Sequence, residues 1–310
     1  MNPSILHCLT AQTAALELTT IASWLPHWTR GLASGGPPLE AAIRGGFAAD
    51  RVAWAFASGY QAALRILFPG LAPEVLATLC VSEESGNRPR DIRTRFSRSE
   101  EGGWSISGVK RWSSFGVSCS ALFVVGAIGD EAATGRPTLR VARVAANTPG
   151  VSIAAMADTP FVPEIVHACV RLDAVRVPAA ALLDGDGYAR YVKPFRTVED
   201  ICVGAASLAY LLREARARAW PRGFIERAAA CLAALAHQAD EAYDDAAAQV
   251  ALSGVLLWAQ QLRTEAGDYW AAQPEDDAAR RWRRDLDLFK VAASARELRV
   301  DRAWRRLAQA

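Results

Sequence analysis

Methionine and histidine are scarce in this chain, at 2 and 4 of 310 residues. The histidines His7, His27, His167 and His237 stand far apart, and none shares a ligand spacing with a cysteine, which excludes a sequence-local zinc site. The cysteines Cys8, Cys80, Cys119, Cys169, Cys202 and Cys231 form no CxxC pair. They read as buried apolar thiols of a reducing cytoplasm, the expected localisation, not as a disulfide framework. Neither sign of charge dominates: 35 basic residues face 33 acidic ones, for a net charge of +2 and no basic stripe. Nucleic acid is therefore excluded as the main partner. No apolar run reaches the roughly 20 residues that a membrane helix needs, so no membrane association is expected. The opening MNPSILHCLTAQ lacks a basic stretch followed by an apolar one, so no signal peptide is expected. There is no internal repeat and no low-complexity tail.

What is present is a large apolar complement. At 51% hydrophobic and 22% charged, the chain can bury the cores of two or three domains. Residues 10–66 are Ala- and Leu-rich with helical spacing. One helix is expected through Ala14, Leu16, Leu18, Ile21 and Leu25, a loop over 31–38, a second helix through Leu39, Ala42, Ile43 and Phe47, and a third from Val52 to Leu67, closed by Pro69-Gly70. Trp24, Trp28 and Trp54 are expected to pack in the core, not to bind ligand. Residues 76–183 change period. Short apolar runs at 76–81, 104–106, 121–125, 138–144, 151–155 and 166–172 alternate, carry β-branched residues and are punctuated by Gly102-Gly103, Pro137, Pro149-Gly150, Pro160 and Pro163, which predicts a small antiparallel barrel or sandwich. Residues 196–310 return to a helical period, with Val198, Ile201, Cys202, Ala205, Leu208 and Leu212 on one face. Further helices are expected over 225–238, over 245–270 and from 276 to the end, giving a four-helix bundle. The run Arg280-Arg281-Trp282-Arg283-Arg284 has acids nearby and reads as a solvated helix face. The fold class is thus α+β and multidomain, with boundaries at 1–72, 73–190 and 191–310.

Four segments between residues 80 and 114 carry the chemistry: Cys80-Val81-Ser82-Glu83, Ile92-Arg93-Thr94-Arg95, Ser107-Gly108-Val109-Lys110 and Trp112-Ser113-Ser114. In order and spacing they resemble the flavin-binding middle domain of the acyl-CoA dehydrogenases, with a loop after Glu83 one residue shorter. The likeness continues more loosely from Leu71 to about Leu212. It implies helices, then a β domain, then a helical bundle; FAD as cofactor; an acyl thioester substrate; and α,β-dehydrogenation. Read through it, Val81 and Ser82 serve the flavin's pyrimidine edge, Trp112 lies against the ring and Ser114 faces N5. Read without it, Trp112 is a core aromatic and the serines are strand-end hydroxyls.

Where the family cradles phosphate, this chain has Ser85-Gly86-Asn87-Arg88-Pro89-Arg90. Asn87 stands at the serine position. Arg88 and Arg90 either pair with phosphate or face solvent, and Pro89 removes an amide donor. In some family members the base that takes the α-proton opens the first helix after the β domain; by that resemblance it is Glu199 here. The bland alternative makes Thr197 an N-cap and Glu199 a helix-start acid favoured by the dipole. Asp200 follows where the family often has arginine, and a neighbouring carboxylate raises a carboxyl pKa.

Other family elements are missing. The N-terminal helical region is about half the usual length, the Arg-x-x-Phe-Gly motif is absent from residues 213–224, and the chain stops inside the expected fourth helix. Two expectations follow: a cytoplasmic flavin oxidoreductase, homo-oligomeric by resemblance, or a degenerate, non-catalytic relative that acts as a structural or binding subunit alongside a full-length partner.

Overall fold

A computed structural model describes residues 2–100, 102–130, 137–241 and 243–309. The chain divides into two compact units: residues 67–158 with 165–195, and residues 1–66 with 159–164 and 196–310.

The first of these is built on a sheet of β1 (Ala77–Cys80), β2 (Arg95–Arg98), β3 (Trp104–Ser114), β4 (Ala121–Asp130), β5 (Pro137–Ala145), β6 (Val151–Ala155) and β7 (His167–Val177). Strand order is β1-β4-β2-β3-β7-β6, with β5 on the other edge of β4. The sheet is mixed: β1 and β2 both pair with β4 in parallel, where the alternation alone suggests antiparallel pairing throughout. Alternating residues send Phe96, Ile106, Leu122, Val124, Ala142, Val144, Val170 and Leu172 into one core. On the opposite side of β4, Phe123 stacks on Phe68 at 3.7 Å between ring centroids, and Phe68 stacks on Tyr191.

The helical unit contains α1 (Pro3–Thr10), α2 (Ile21–Ala33), α3 (Pro38–Ala48), α4 (Val52–Leu67), α5 (Lys193–Ala217), α6 (Arg222–Gln238), α7 (Ala246–Ala271), α8 (Asp277–Asp285) and α9 (Ala293–Leu307). α4 has the bounds that periodicity and Pro69-Gly70 predict. The helix expected from Ala14 begins only at Ile21, because the Thr20 hydroxyl caps it by accepting from the Ser23 amide at 3.1 Å, while Leu16 makes a β-bridge to Ala49. α2 then runs through residues 31–33, which the sequence suggests are loop. α1 went unpredicted, although Asn2 as N-cap and Pro3 at the first position signal it. Trp24, Trp28 and Trp54 are buried as expected, and Trp24 stacks on Trp28 at 5.6 Å and on Trp54 at 6.3 Å.

The expected fourth C-terminal helix is broken into α8, a 3₁₀ turn over Leu286–Lys290, and α9. At the break, the fully buried Asp285 carboxylate accepts from the Val162 amide at 2.8 Å and pairs with Arg284. The arginine run is not a plain solvated face either. Trp282 is fully buried, Arg284 binds Glu164 at 3.1 Å, and Arg281 reaches Asp50.

Two glycines set how closely helices approach α5. A Cβ on Gly46 of α3 would sit 2.1 Å from the Ala206 carbonyl, and one on Gly59 of α4 would sit 2.6 Å from the Val203 Cα. Only glycine permits these backbones to meet.

Candidate functional site

In the β unit, β3 carries an irregularity where Trp112 sits. The β3–β7 register advances by three residues from Lys110 to Ser113 while β7 advances by two, from Val170 to Ala168. The extra residue is a β-bulge, a device that re-aims a side chain. Trp112 takes φ 58° there, a conformation unfavourable for a bulky residue. Its indole is 52% exposed, so the core-aromatic reading of Trp112 is overturned. Its amide donates to the Met156 sulfur at 3.3 Å, and its ring meets His167 edge to face at 5.9 Å. Beyond the bulge, Ser114 pairs across to His167, with its Oγ 3.4 Å from Nε2. Burial lowers the His167 pKa, so the neutral ring is favoured. Trp112, Ser114, His167 and Met156 thus form a cluster of one open indole flanked by a hydroxyl and an imidazole.

Val81 and Ser82 follow β1 and are half-buried. The Ser82 carbonyl accepts from the Arg111 amide at 2.8 Å, which fixes this segment beside the bulge. Among the described residues no hydrogen bond from Ser82 Oγ is seen, and the residue is half-buried. The seam between segment and bulge is a buried ion pair that the sequence reading did not single out. Lys110 Nζ, with no exposed surface, donates to Glu83 Oε1 at 2.6 Å and to the Val81 carbonyl at 3.2 Å. The Glu83 carboxylate also accepts from the Arg93 amide at 2.7 Å and from the Thr94 amide and hydroxyl at 3.0 and 2.8 Å. Burial disfavours its charge, but Lys110 and these donors outweigh that and hold its pKa below the ordinary value. Three of the four sequence segments therefore converge on Glu83. The available signal was a lone lysine on the inward-facing alternation of β3.

The loop after Glu83 is committed internally. Glu83 and Gly86 exchange backbone hydrogen bonds at 2.9 and 3.1 Å. The Ser85 hydroxyl donates to the Asp91 carbonyl at 2.7 Å, and the Arg88 amide donates to the Asp91 carboxylate at 3.1 Å. Asn87, Arg88 and Arg90 are exposed, and Arg90 lies 3.8 Å from Asp91. The open indole, with the Ser82 and Ser114 hydroxyls near it in sequence and register, offers the apolar face and the hydroxyls that a flavin ring would need. In the loop where its phosphates would lie, Asp91 already takes the Ser85 hydroxyl and the Arg88 amide and adds a carboxylate.

In the helical unit, Glu199 lies on α5, which starts at Lys193 behind a π turn over Tyr188–Val192. Thr197 is therefore inside the helix and not its N-cap, and the helix has no acid in its first turn. The helix-start account of Glu199 fails for that reason. Part of the Glu199 surface stays open to solvent. Burial first, and Asp200 second, push its pKa up to about 8 against the pull of Arg296 and Arg196. Asp200 is itself bound by α9: Arg296 at 2.9 Å and Arg299 at 2.8 Å occupy its two oxygens. Thr197 Oγ1 accepts from Gln249 and Arg299, each at 3.4 Å.

No family model and no curated protein sequence matches this chain. Solved structures do. Butyryl-CoA dehydrogenase from Megasphaera elsdenii superposes with a TM-score of 0.67 at 14% identity, over 94% of this chain and 91% of that one. An FAD-dependent dehydrogenase gives a TM-score of 0.71 at 15% identity, over 98% and 96%. PigA with FAD and proline gives 0.68 at 12% identity, over 98% and 92%. The match extends well past the residues that carry the sequence motifs. With its helices before and after a curled mixed sheet, this chain has the fold of the acyl-CoA dehydrogenases, reached by a strongly divergent sequence.

Proposed function

We propose that the protein is a flavin-dependent oxidoreductase that removes hydrogen from the α and β carbons of an acyl thioester. The observation that carries this reading is the half-exposed Trp112 indole, held at positive φ by a bulge beside Ser114 and His167. Natural chains keep such strain where a side chain must face a ligand. Trp112 offers a flat apolar wall, Ser82 and the Val81–Ser82 backbone offer donors, and Ser114 offers a hydroxyl whose orientation His167 sets. A bound flavin supplies the hydride acceptor. Glu199 is the base. A carboxylate whose pKa stands at about 8 is better matched to a weak carbon acid than an ordinary one. The substrate is a small-molecule acyl thioester, and the assembly is a homo-oligomer or a complex with a relative. Turnover with acyl-CoA substrates and a dye acceptor tests this. The rate is expected to rise with pH to a plateau above about 8, and Glu199→Gln to abolish it. An active Glu199→Gln protein removes Glu199 from the role.

One observation favours a second reading, in which the chain is a non-catalytic subunit completed by a full-length relative. Asp91 takes the Ser85 hydroxyl and the Arg88 amide in the loop where phosphate would sit. Under this reading Asn87, Arg88 and Arg90 hold no phosphate, and the isolated chain takes up no FAD until the relative is added.

A further inference from the structure

We propose that Met156 is a peroxide-sensitive modification site, whose sulfoxide takes over the backbone amide of Trp112. Met156 is the only methionine of the chain apart from Met1, and it directly follows β6. Its backbone is fixed there. The Met156 amide donates to the His167 carbonyl at 2.8 Å, which continues the β6–β7 ladder by one residue. Its side chain reaches β3, where Sδ accepts from the Trp112 amide at 3.3 Å. A thioether is a weak acceptor, and the donor it holds belongs to the bulge residue at φ 58°. The residue is half-buried, so part of its surface meets small molecules in solution.

Oxidation chemistry selects Met156 over the thiols. Peroxide attacks cysteine as the thiolate, whereas a thioether needs no deprotonation. Cys8, Cys80, Cys119, Cys202 and Cys231 are buried, and burial raises the pKa of each, which keeps them as inert thiols. Cys169 on β7 is half-buried and is the remaining competitor. In the step, the sulfur attacks one oxygen of hydrogen peroxide. An S–O bond forms as the O–O bond breaks, and sulfur gives up two electrons. The leaving hydroxide takes the proton of the transferred oxygen and departs as water. The product oxygen is a strong acceptor on a side chain that is now polar. A bond from the Trp112 amide places that oxygen about 2.9 Å from the nitrogen, so the sulfur withdraws from its present 3.3 Å. The bulge amide is then held more tightly, and a dipole stands beside the indole where there was a thioether. Loss of FAD follows if the indole is the flavin's apolar wall. That consequence rests on the proposed flavin site; the modification itself does not.

Titration of the full-length protein with hydrogen peroxide, followed by peptide mass spectrometry, amide exchange and FAD retention, tests it. One added oxygen is expected on the Met156 peptide before any on the five buried cysteines. Exchange of the Trp112 amide is expected to slow at least about threefold in the sulfoxide protein. FAD retained after desalting should fall in step with the oxygen added and recover on treatment with a methionine sulfoxide reductase. In Met156→Leu peroxide should change neither readout, while Cys169→Ser should respond as the parent does. Cysteine oxidation ahead of Met156, unaltered Trp112 exchange in the sulfoxide protein, or an equal loss of FAD in Met156→Leu overturns the proposal. A protein that binds no FAD before treatment fails the flavin reading alone, and the mass and exchange readouts then decide the sulfoxide site by themselves.

Discussion

Replacing Glu199 with glutamine keeps the size of the side chain and removes its titration, so the change isolates the cost of burying the carboxylate. In the unfolded chain the group titrates near 4.5, and in the fold near 8. Between those values the folded state holds a proton that the unfolded state has released. Stability from this group is therefore fully present below pH 4.5 and is lost as pH rises through about 8. The whole shift would amount to about 5 kcal/mol at ~1.4 kcal/mol per pH unit. Because the residue is not fully buried, solvent screens part of the charge, which leaves roughly 2 kcal/mol. Urea unfolding followed by circular dichroism, on the parent and Glu199→Gln proteins at intervals from pH 5 to pH 9, measures it. The difference should grow with pH, the variant becoming the more stable by roughly 2 kcal/mol at the alkaline end. A difference that stays constant across the range would refute the raised pKa, and with it the fitness of Glu199 as a base.

Other outcomes follow from the same contacts. Lys110→Met strands a buried carboxylate and should cost about 3–5 kcal/mol in chemical unfolding, most of it recovered when Glu83→Gln is added. Trp112→Gly relieves positive-φ strain of about 1–2 kcal/mol but adds chain entropy of about 0.5–1 kcal/mol, so Tm should hardly move while FAD affinity falls at least tenfold by titration. Gly59→Ala puts a methyl into the α5 backbone and should lower stability by about 1–3 kcal/mol or more, read as a Tm loss. Asp200→Asn removes a charge that raises the Glu199 pKa and frees Arg296, which lowers it; the pH limb of turnover should move to lower pH.

Much of the scaffold is legible in the sequence because period and punctuation agree. The 3.6-residue spacing and Pro69-Gly70 define α4, and alternation with glycine and proline turns locates most strands. The four motif segments fix the β domain, since three of them close around Glu83. What sequence hides is long-range. Nothing local shows that α5 begins at Lys193, so a capping pattern around Thr197 looks plausible until the preceding π turn is seen. The parallel pairing of β1 and β2 with β4 is invisible to alternation, which is the same for either direction. The break after α8 depends on Asp285 meeting Val162, more than a hundred residues earlier. His167 carries no motif and gains its place by sharing a register with Ser114. In the loop after Glu83, sequence leaves Arg88 and Arg90 open between two roles, while the structure shows both exposed, with Asp91 taking the Ser85 hydroxyl and the Arg88 amide.

The visible spectrum of the protein before and after incubation with FAD bears most directly on the proposal that Trp112 holds a flavin. A flavin held against the indole gives a band at about 450 nm that survives desalting, and Trp112→Ala loses it. A colourless protein that retains no FAD, or a Trp112→Ala protein that retains as much as the parent, contradicts the assignment.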